Sequence, residues 1–533
     1  MNYDYLIIGS GFGGSVSALR LSEKGYKVAI VEQGKWMNSN DFENAGSGLK
    51  NLLWSPPMGM KGYFFQEFFK HITIIGGVGV GGGSLVYAAV LLKPKDAFYN
   101  DPAWSHLGVD WKNELKEYYE TASHMLGIEI NPNFGIQDDY LKRTAEKMNV
   151  GSTFGSVPNG IYFGTPEEKK KDPYFGGDGP DRSGCYLCGE CLTGCPHGSK
   201  NTLDKNYLYF AQKNGVEILT DRKAENIVPK ENGKYVVELC DPHKKKKKYP
   251  SLTAANVIIS AGVLGTLDLL FRCRDVTKTM PDISRKLGTL VRTNSEAIVS
   301  VLDSDENIDL TRGTTISSDF YPNETTHVTQ NRFPRAYNFM RFFCAPLIDD
   351  DKPFRRSMRS IRQFIFHPLK STLVMRSKNF HKRVTTLTVM QNLDNYMAFT
   401  YGRSVMMKFS HRLKSKRVKG KEAPSNLPIA NETARVLAEV TGGIPANVIM
   451  ESVGNLSTTA HILGGCHMGK DKDEGVIDTN HQLFGYPGLY VIDASAIPAN
   501  VGVNPSLTVT ALAERAMSKV EEKVRKEKAE FKN

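Results

Sequence analysis

An apolar run that leads directly into a glycine-rich turn constrains the fold of this chain more than any other feature of its sequence. The run from Tyr5 to Ile8 is typical of a buried parallel strand, and glycines follow at Gly9, Gly11 and Gly14. A predicted helix comes next, and then a second apolar strand that ends at Glu32. The order of strand, GxGxxG turn, helix, strand and acidic residue predicts a dinucleotide-binding unit.

Each residue type in this unit has a chemical reason. Gly9 permits the tight turn, and Gly11 lets the backbone approach a pyrophosphate at the N-terminus of the helix. Gly14 allows the helix to pack closely on the strand, and Glu32 can accept hydrogen bonds from the ribose hydroxyls. The unit alone leaves the choice between FAD and NAD open.

Three further segments contain glycine-rich turns or apolar strands of the same kind. Six of the eight residues from Gly76 to Gly83 are glycine, which exposes backbone N–H groups and lets the chain pass close to a flat ligand. Farther along, the apolar run that begins at Val257 turns through Gly262 into a predicted helix, and a last apolar strand ends at Asp493.

These motifs resemble, in the same order along the chain, the signature segments of the glucose–methanol–choline oxidoreductase family. The segments that carry the resemblance are GGVGVGGGSLVY, AGVLGTLDLL, HILGGCHMG and GLYVIDASAIPANVGVNPSLTVTALAERA. The HxxGGC and VGVNP forms are more similar to the cholesterol-oxidase-like branch than to the sugar or choline enzymes. The resemblance extends from residue 4 to about residue 520.

The resemblance implies an α/β plus α+β fold, in which a Rossmann-type FAD-binding domain is interleaved with a substrate domain built on an antiparallel sheet. We expect the FAD-binding domain to comprise residues 1–95, 200–300 and 456–533. We expect the substrate domain to comprise residues 96–199 and 301–455, with a cysteine-rich loop at 185–196. A length of 533 residues agrees with two domains, because single hydrophobic cores rarely grow that large.

The resemblance also implies which residues contact FAD. Asp493 would contact the pyrophosphate or the ribityl chain, and Ala224 would contact the adenine through its backbone. The full set of expected FAD contacts is Gly9, Gly11, Gly14, Glu32, Gly79, Gly81, Gly82, Gly83, Ser84, Ala224, Gly262 and Asp493.

By the same resemblance, His461 occupies the position of the family's active-site histidine, and Asn504 occupies that of its partner. Oxidation of an alcohol needs a base for the hydroxyl proton, and flavin N5 accepts the hydride. Asn504 cannot take up a proton, so His461 would act alone or with a carboxylate. We therefore predict oxidation of a hydroxyl group on an apolar, sterol-like alcohol. No residue is assigned to double-bond isomerisation, because Glu451 is too weak a match to the family's glutamate.

Four cysteines form a separate motif. Cys185, Cys188, Cys191 and Cys195 have the spacing C-x2-C-x2-C-x3-C-P of an iron–sulfur run, yet the residues after them continue like a motif of this flavoenzyme branch. A bound Fe–S cluster or zinc and reduced structural thiols are both open. A cluster would favour an FAD dehydrogenase of a long-chain or terpenoid alcohol that passes electrons to an acceptor protein. The sequence leaves open whether oxygen or an electron-acceptor protein re-oxidises the flavin.

The segment FRRSMRSIRQFIF, residues 354–366, predicts a basic amphipathic helix. Arg355, Arg356, Arg359 and Arg362 surround its apolar positions, and no acidic residue occurs between Lys352 and Leu393. Two interpretations remain open: the helix lies on an anionic membrane, or it packs on its own domain with its arginines in water.

Composition excludes several other classes. The net charge of +11 is not accompanied by a recognition motif, so no nucleic-acid partner is expected. No stretch approaches the roughly 18 apolar residues that span a bilayer, and the first residues lack a signal peptide, so we expect a cytoplasmic protein with possible peripheral contact to a membrane. A carotenoid- or lipid-modifying flavoprotein without alcohol chemistry is disfavoured, because it would not need His461 and Asn504.

Overall fold

The protein was analysed as a computed structural model. It describes residues 2–244, 246–350, 352–403, 411–424 and 426–524. The last nine residues of the segment 456–533, which was assigned to the FAD-binding domain, lie outside the described residues. The longer helices are Phe12–Glu23, Lys116–Met125, Ile136–Lys147, Tyr207–Lys213, Gly262–Phe271, Pro353–Phe366, Pro428–Thr441 and Ser506–Ser518.

A largely parallel sheet of seven strands contains the predicted dinucleotide-binding unit. Its strands in spatial order are Glu217–Leu219, Val28–Val31, Asn2–Ile8, Lys248–Ile259, Tyr235–Cys240 and Lys223–Pro229, and Leu489–Val491 also pairs with Lys248–Ile259. The strands that carry the nucleotide motifs pair in parallel, and the hairpin at the far edge is antiparallel. Leu6, Ile7 and Ile30 are fully buried, as is usual for the central strands of a parallel sheet.

A second seven-stranded sheet is antiparallel throughout. Its strands in spatial order are Cys344–Pro346, Ile444–Val448, Ala297–Leu302, Val384–Gln391, Thr326–Asn331, Ser318–Asn323 and Gly155–Ser156. The helices Ile136–Lys147 and Pro428–Thr441 pack on one face of it and enclose a separate apolar core. The two sheets confirm the predicted fold class, a Rossmann-type domain with a substrate domain built on an antiparallel sheet. The exact domain boundaries stay a prediction, and the strand Ala297–Leu302 crosses the one proposed at 300/301.

A small three-stranded sheet links the regions that matter for function. The strand Ser457–Thr459 pairs in parallel with Ile72–Gly77, which pairs on its other side with Phe64–Phe68. Ile72–Gly77 leads into the second glycine loop, and Ser457–Thr459 leads to His461. The pairing therefore brings the predicted flavin loop and the predicted base to the same region of the molecule.

The segment around residue 354 folds as predicted, since a helix runs from Pro353 to Phe366. It begins with a proline in its first turn, where a missing N–H costs no hydrogen bond, and it ends at His367, before Pro368. In the described part of the chain, none of the helices has both the length and the apolar character needed to cross a bilayer.

Candidate active site

The first glycine turn combines one crowded position with one open position. A Cβ on Gly14 would lie 2.0 Å from the carbonyl oxygen of Gly9, so only glycine permits this packing of helix on strand. A Cβ on Gly11, in contrast, would meet no atom within 4 Å. The space beside Gly11 fits the expected pyrophosphate, because backbone N–H groups at the start of the helix Phe12–Glu23 border it.

Glu32 is buried and already bound by protein donors. Its Oε2 accepts hydrogen bonds from the hydroxyl and the backbone N–H of Ser10, at 2.7 and 3.1 Å, and its Oε1 accepts one from the N–H of Gly34 at 2.8 Å. Burial raises the pKa of Glu32, against the opposing effect of these hydrogen bonds. Each carboxylate oxygen can accept more than one hydrogen bond, so the contact with a ribose stays a prediction.

The second glycine loop lies directly against the first. The hydroxyl oxygen of Ser10, whose proton is donated to Glu32, lies 3.3 Å from the carbonyl oxygen of Gly79 and accepts a hydrogen bond from the N–H of Gly81 at 3.1 Å. A Cβ on Gly82 would lie 2.9 Å from the Cα of Gly11. Gly83 continues this loop, and the hydroxyl of Ser84 closes it by donating to the carbonyl of Gly81 at 2.8 Å. The predicted contacts Gly79, Gly81, Gly82, Gly83 and Ser84 thus form one backbone-lined surface with the first turn.

Asp493 and Gly262 are hydrogen-bonded to each other. Oδ2 of Asp493 accepts from the N–H of Gly262 at 2.9 Å and from the hydroxyl of Thr266 at 2.6 Å. Burial raises the pKa of Asp493, against these hydrogen bonds. A Cβ on Gly262 would meet no atom within 4 Å. The pair therefore fixes the start of the helix Gly262–Phe271 beside open space, while its contact with FAD remains a proposal.

Ala224 is the second residue of the strand Lys223–Pro229. Two residues before it, the N–H of Arg222 donates to the backbone carbonyl of Glu32 at 3.0 Å. This contact places the backbone of Ala224 near the end of the predicted ribose-binding strand. Its contact with adenine stays a prediction.

His461 and Asn504 lie side by side, although they come from different segments. Nε2 of His461 is 3.3 Å from Nδ2 of Asn504. His461 follows the strand Ser457–Thr459, where its N–H donates to the hydroxyl of Thr459 at 2.9 Å, and Asn504 stands just before the helix Ser506–Ser518. Oδ1 of Asn504 is buried and has no hydrogen-bond partner among the described residues, which is the condition expected of a group that awaits a polar ligand.

A third residue, Glu296, completes this cluster. Its Oε2 lies 3.3 Å from Nδ1 of His461, an ion-pair distance without the alignment of a hydrogen bond. The same oxygen accepts from the hydroxyl of Thr459 at 2.9 Å and from the N–H of Ala460 at 3.0 Å. Burial alone would raise the pKa of Glu296, but the charge of His461 and these hydrogen bonds outweigh it and lower that pKa. The carboxylate is therefore held ionised in a desolvated position.

Sequence reasoning left open whether a carboxylate assists His461, and it did not find Glu296. That residue precedes the strand Ala297–Leu302 of the antiparallel sheet, in no motif, and only tertiary structure brings it to His461. Glu451, which the sequence offered weakly, is buried nearby. Burial raises its pKa to about 8, and the negative charge of Glu296 adds to this effect against the opposing charge of Arg356.

The structure does not show a metal site at the four cysteines of the 185–196 loop. Among the residues that the structure describes, no group of three or more His, Cys, Asp and Glu side chains is arranged to hold a metal ion. Burial raises the pKa of the thiols of Cys185 and Cys191, and that of Cys188 to about 12. The Fe–S cluster that the cysteine spacing left open therefore gains no support from the described residues.

The same loop has a clear structural connection. Lys200 is buried, and its ammonium donates to the carbonyls of Leu85, Tyr87 and Cys191 at 2.9, 3.0 and 2.8 Å. Three carbonyl acceptors compensate for the loss of water around the charge. Lys200 therefore joins the cysteine loop to the end of the second glycine loop, which supports the interpretation of the cysteines as structural thiols.

Comparisons with known proteins agree with this site. The GMC oxidoreductase family models match residues 179–283 and 400–513, and an FAD binding domain model matches residues 4–70. The chain is 39% identical to a cholesterol oxidase of Acinetobacter baumannii over 97% of this chain and 94% of that protein. It is 38% identical to a cholesterol oxidase of Mycobacterium tuberculosis H37Rv over 97% and 91%. The crystal structure of pyridoxine 4-oxidase from Mesorbium loti shares the fold, with a TM-score of 0.65 at 16% identity over 98% of this chain and 100% of that one.

The family models and the relatives together show that the protein is an FAD-dependent alcohol oxidoreductase. The chain belongs to the GMC oxidoreductase family, because it is more than a third identical to members over nearly their full length.

Proposed function

We propose that this enzyme oxidises a hydroxyl group on an apolar, sterol-like alcohol, with His461 as the base. The observation that carries the proposal is the triad of Glu296, His461 and Asn504, since it offers a proton acceptor beside an unsatisfied amide. The relatives named cholesterol oxidases support the sterol-like substrate. When bound, FAD supplies the acceptor for the hydride, at flavin N5.

The three side chains divide the work at the hydroxyl group. Glu296 favours the tautomer of His461 that carries its proton on Nδ1, which leaves the lone pair of Nε2 free to accept the hydroxyl proton. Asn504 donates from its amide to the substrate oxygen and so holds the hydroxyl against Nε2. As His461 becomes positively charged, the carboxylate of Glu296 stabilises that charge in a site removed from water.

The proposed reaction converts a secondary alcohol into a ketone: the carbon loses a hydride and the oxygen loses a proton. We propose oxygen as the final acceptor, which would take two electrons and two protons to give hydrogen peroxide. The support is the oxidase name of both relatives. The dehydrogenase alternative would instead pass the electrons to an acceptor protein.

A sterol-like alcohol is nearly insoluble and resides in lipid, so we also propose that the enzyme meets its substrate at a membrane surface. The protein would associate peripherally, since the described helices offer no bilayer span.

The test replaces His461 and Asn504 separately by alanine and follows reduction of the flavin by a detergent-solubilised sterol without oxygen. Loss of the base is expected to slow reduction by about 10²–10⁴-fold, with FAD still bound. Asn504→Ala should slow it less, because orientation and not a proton acceptor is lost.

His467→Gln is the matched control. This histidine belongs to the same loop and is more deeply buried, but its Nε2 faces the carbonyl of Glu474 and not the triad. It should reduce its flavin at the wild-type rate. If His461→Ala also reduces at the wild-type rate, His461 is not the base.

A further inference from the structure

The helix Pro353–Phe366, here called the basic helix, presents its apolar side to the outside of the molecule. Phe354, Met358, Ile361 and Ile365 are spaced to lie on one side of it, and all are exposed; Phe354 is 78% exposed and Ile365 66%. A helix that covers a protein core shows the opposite arrangement. The structure therefore does not show an arrangement in which the apolar side of this helix faces its own domain.

The inward side of the basic helix is polar and hydrogen-bonded. Arg356 is 2% exposed, and its Nη2 donates to the backbone carbonyl of Glu451 at 3.3 Å and to Oδ1 of Asn455 at 2.8 Å. The hydroxyl of Ser360, fully buried, donates to the carbonyl of Ser452 at 3.1 Å. These bonds fix the orientation of the helix, so its exposed apolar side is a feature of the fold.

The apolar surface continues beyond the basic helix. The short helices Pro368–Ser371 and Leu373–Arg376 pack next to it and add Leu369, which is 70% exposed, and Leu373. We call the combined surface the outer apolar face. It consists of Phe354, Met358, Ile361, Ile365, Phe366, Leu369 and Leu373.

Positive charge surrounds this face. Ten lysines and arginines and no acidic residue occur from Lys352 to Leu393. Arg355 and Arg359 have more than half of their side chains exposed and share one carboxylate, that of Asp350, so one positive charge is left over. The guanidinium of Arg362 lies 5.6 Å from the ring centre of Phe366, at the edge of the face.

We infer that the outer apolar face is a membrane-docking surface that lies on an anionic lipid bilayer. Its apolar side chains would enter the boundary between head groups and acyl chains, and the arginines at its edge would contact the lipid phosphates and carboxylates. A second copy of the chain fits less well, because a symmetric dimer would set these arginines against themselves.

The docked surface is attached to the segment that leads to the active site. Glu451, Ser452 and Asn455, which bind the inward side of the basic helix, immediately precede the strand Ser457–Thr459 and then His461. Delivery of substrate along this route rests on the proposed function, whereas binding of the face to lipid does not.

Sedimentation with phosphatidylcholine vesicles, with and without phosphatidylserine, tests the inference on the flavin-loaded protein. The double variant Phe354→Ser/Ile365→Ser is expected to bind vesicles at least tenfold more weakly, because each buried apolar side chain contributes substantially to partitioning. The triple variant Arg355→Gln/Arg359→Gln/Arg362→Gln keeps the buried Arg356 and should lose about fivefold in binding per net charge removed, only on vesicles with phosphatidylserine.

Phe134→Ser/Ile136→Ser is the matched control, because both residues are exposed and apolar but lie outside the outer apolar face. It should bind vesicles like the wild type. All variants should oxidise a detergent-solubilised alcohol at the wild-type rate, so a failure of the chemistry is distinguishable from a failure of docking.

Undiminished vesicle binding by both face variants would overturn the inference. A second result would also overturn it: the wild type does not bind lipid and sediments as a dimer, whereas Phe354→Ser/Ile365→Ser sediments as a monomer. The outer apolar face would then join two copies of the chain. Should the serine variant fail to fold, the arginine variant decides the outcome alone.

Discussion

Replacing Glu296 by glutamine removes the negative charge beside His461 and leaves the shape of the side chain unchanged. Glutamine keeps an oxygen that can accept from the hydroxyl of Thr459 and the N–H of Ala460, so the local backbone should be preserved. We expect Glu296→Gln to bind FAD normally and to reduce it slowly.

The size of the effect follows from the geometry. Two unit charges 3.3 Å apart attract each other by about 5 kcal/mol at an effective dielectric constant of about 20. If the positive charge is half developed on His461 in the transition state, the barrier to flavin reduction in Glu296→Gln rises by about 2–3 kcal/mol, which slows the reaction roughly 100-fold. If Glu296 only supported the fold, its replacement would not slow flavin reduction while FAD binding stays normal.

Anaerobic stopped-flow measurement of flavin reduction across a range of pH separates these roles. The maximal rate on the profile should fall roughly 100-fold in Glu296→Gln, because the positive charge that develops on His461 loses its anionic neighbour. Glu514→Gln is the control, since Glu514 is also a buried glutamate, paired with Arg20 in a different part of the molecule. A Glu296→Gln enzyme with the rate and pH profile of the wild type would refute the reasoning.

Further outcomes are expected from the same structure. The pKa of Glu296 is lowered in the folded state, so its stabilising effect is present above the ordinary glutamate value of 4.5 and is lost as the pH falls through the lowered value. The free energies of unfolding of the wild type and Glu296→Gln, measured by denaturant titration, should therefore differ most near neutral pH and converge in acid. Gly14→Ala should lower the melting temperature of the protein without FAD, because its Cβ would lie 2.0 Å from the oxygen of Gly9. Gly11→Ala should leave that melting temperature unchanged and weaken FAD binding, as measured by a fluorescence titration. Cys191→Ser should keep FAD and the rate of flavin reduction, and protein purified without oxygen should contain iron and zinc only in traces; stoichiometric iron that is lost in Cys191→Ser would restore the cluster hypothesis.

The sequence predicted those parts of the fold and the site that depend on local patterns. The turn at Gly9, Gly11 and Gly14 is readable because a parallel strand, a tight turn and a helix N-terminus each demand particular residue types within a short stretch. His461 and Asn504 were found through motifs, and the structure places their side chains 3.3 Å apart. Their chemical roles remain proposals.

Features that depend on tertiary structure were not predictable. Glu296 meets His461 only because the antiparallel sheet and the strand Ser457–Thr459 come together in space. The basic helix was predicted, but its orientation was not, because periodicity gives the apolar side of a helix without saying whether that side faces the core. The cysteine spacing was ambiguous for a similar reason: it fixes the sequence separation of the thiols and not their environment.

Anaerobic mixing of the purified enzyme with a sterol that carries a secondary ring hydroxyl tests the central claim most directly. The proposed function predicts that the flavin absorbance is bleached by this sterol, that the same sterol without its hydroxyl leaves the flavin oxidised, and that admission of oxygen restores the colour with formation of hydrogen peroxide. A flavin that stays oxidised with the sterol but is bleached by a linear long-chain alcohol would contradict the proposed substrate. A flavin that no alcohol bleaches would contradict the assignment of His461, Asn504 and Glu296 to alcohol oxidation.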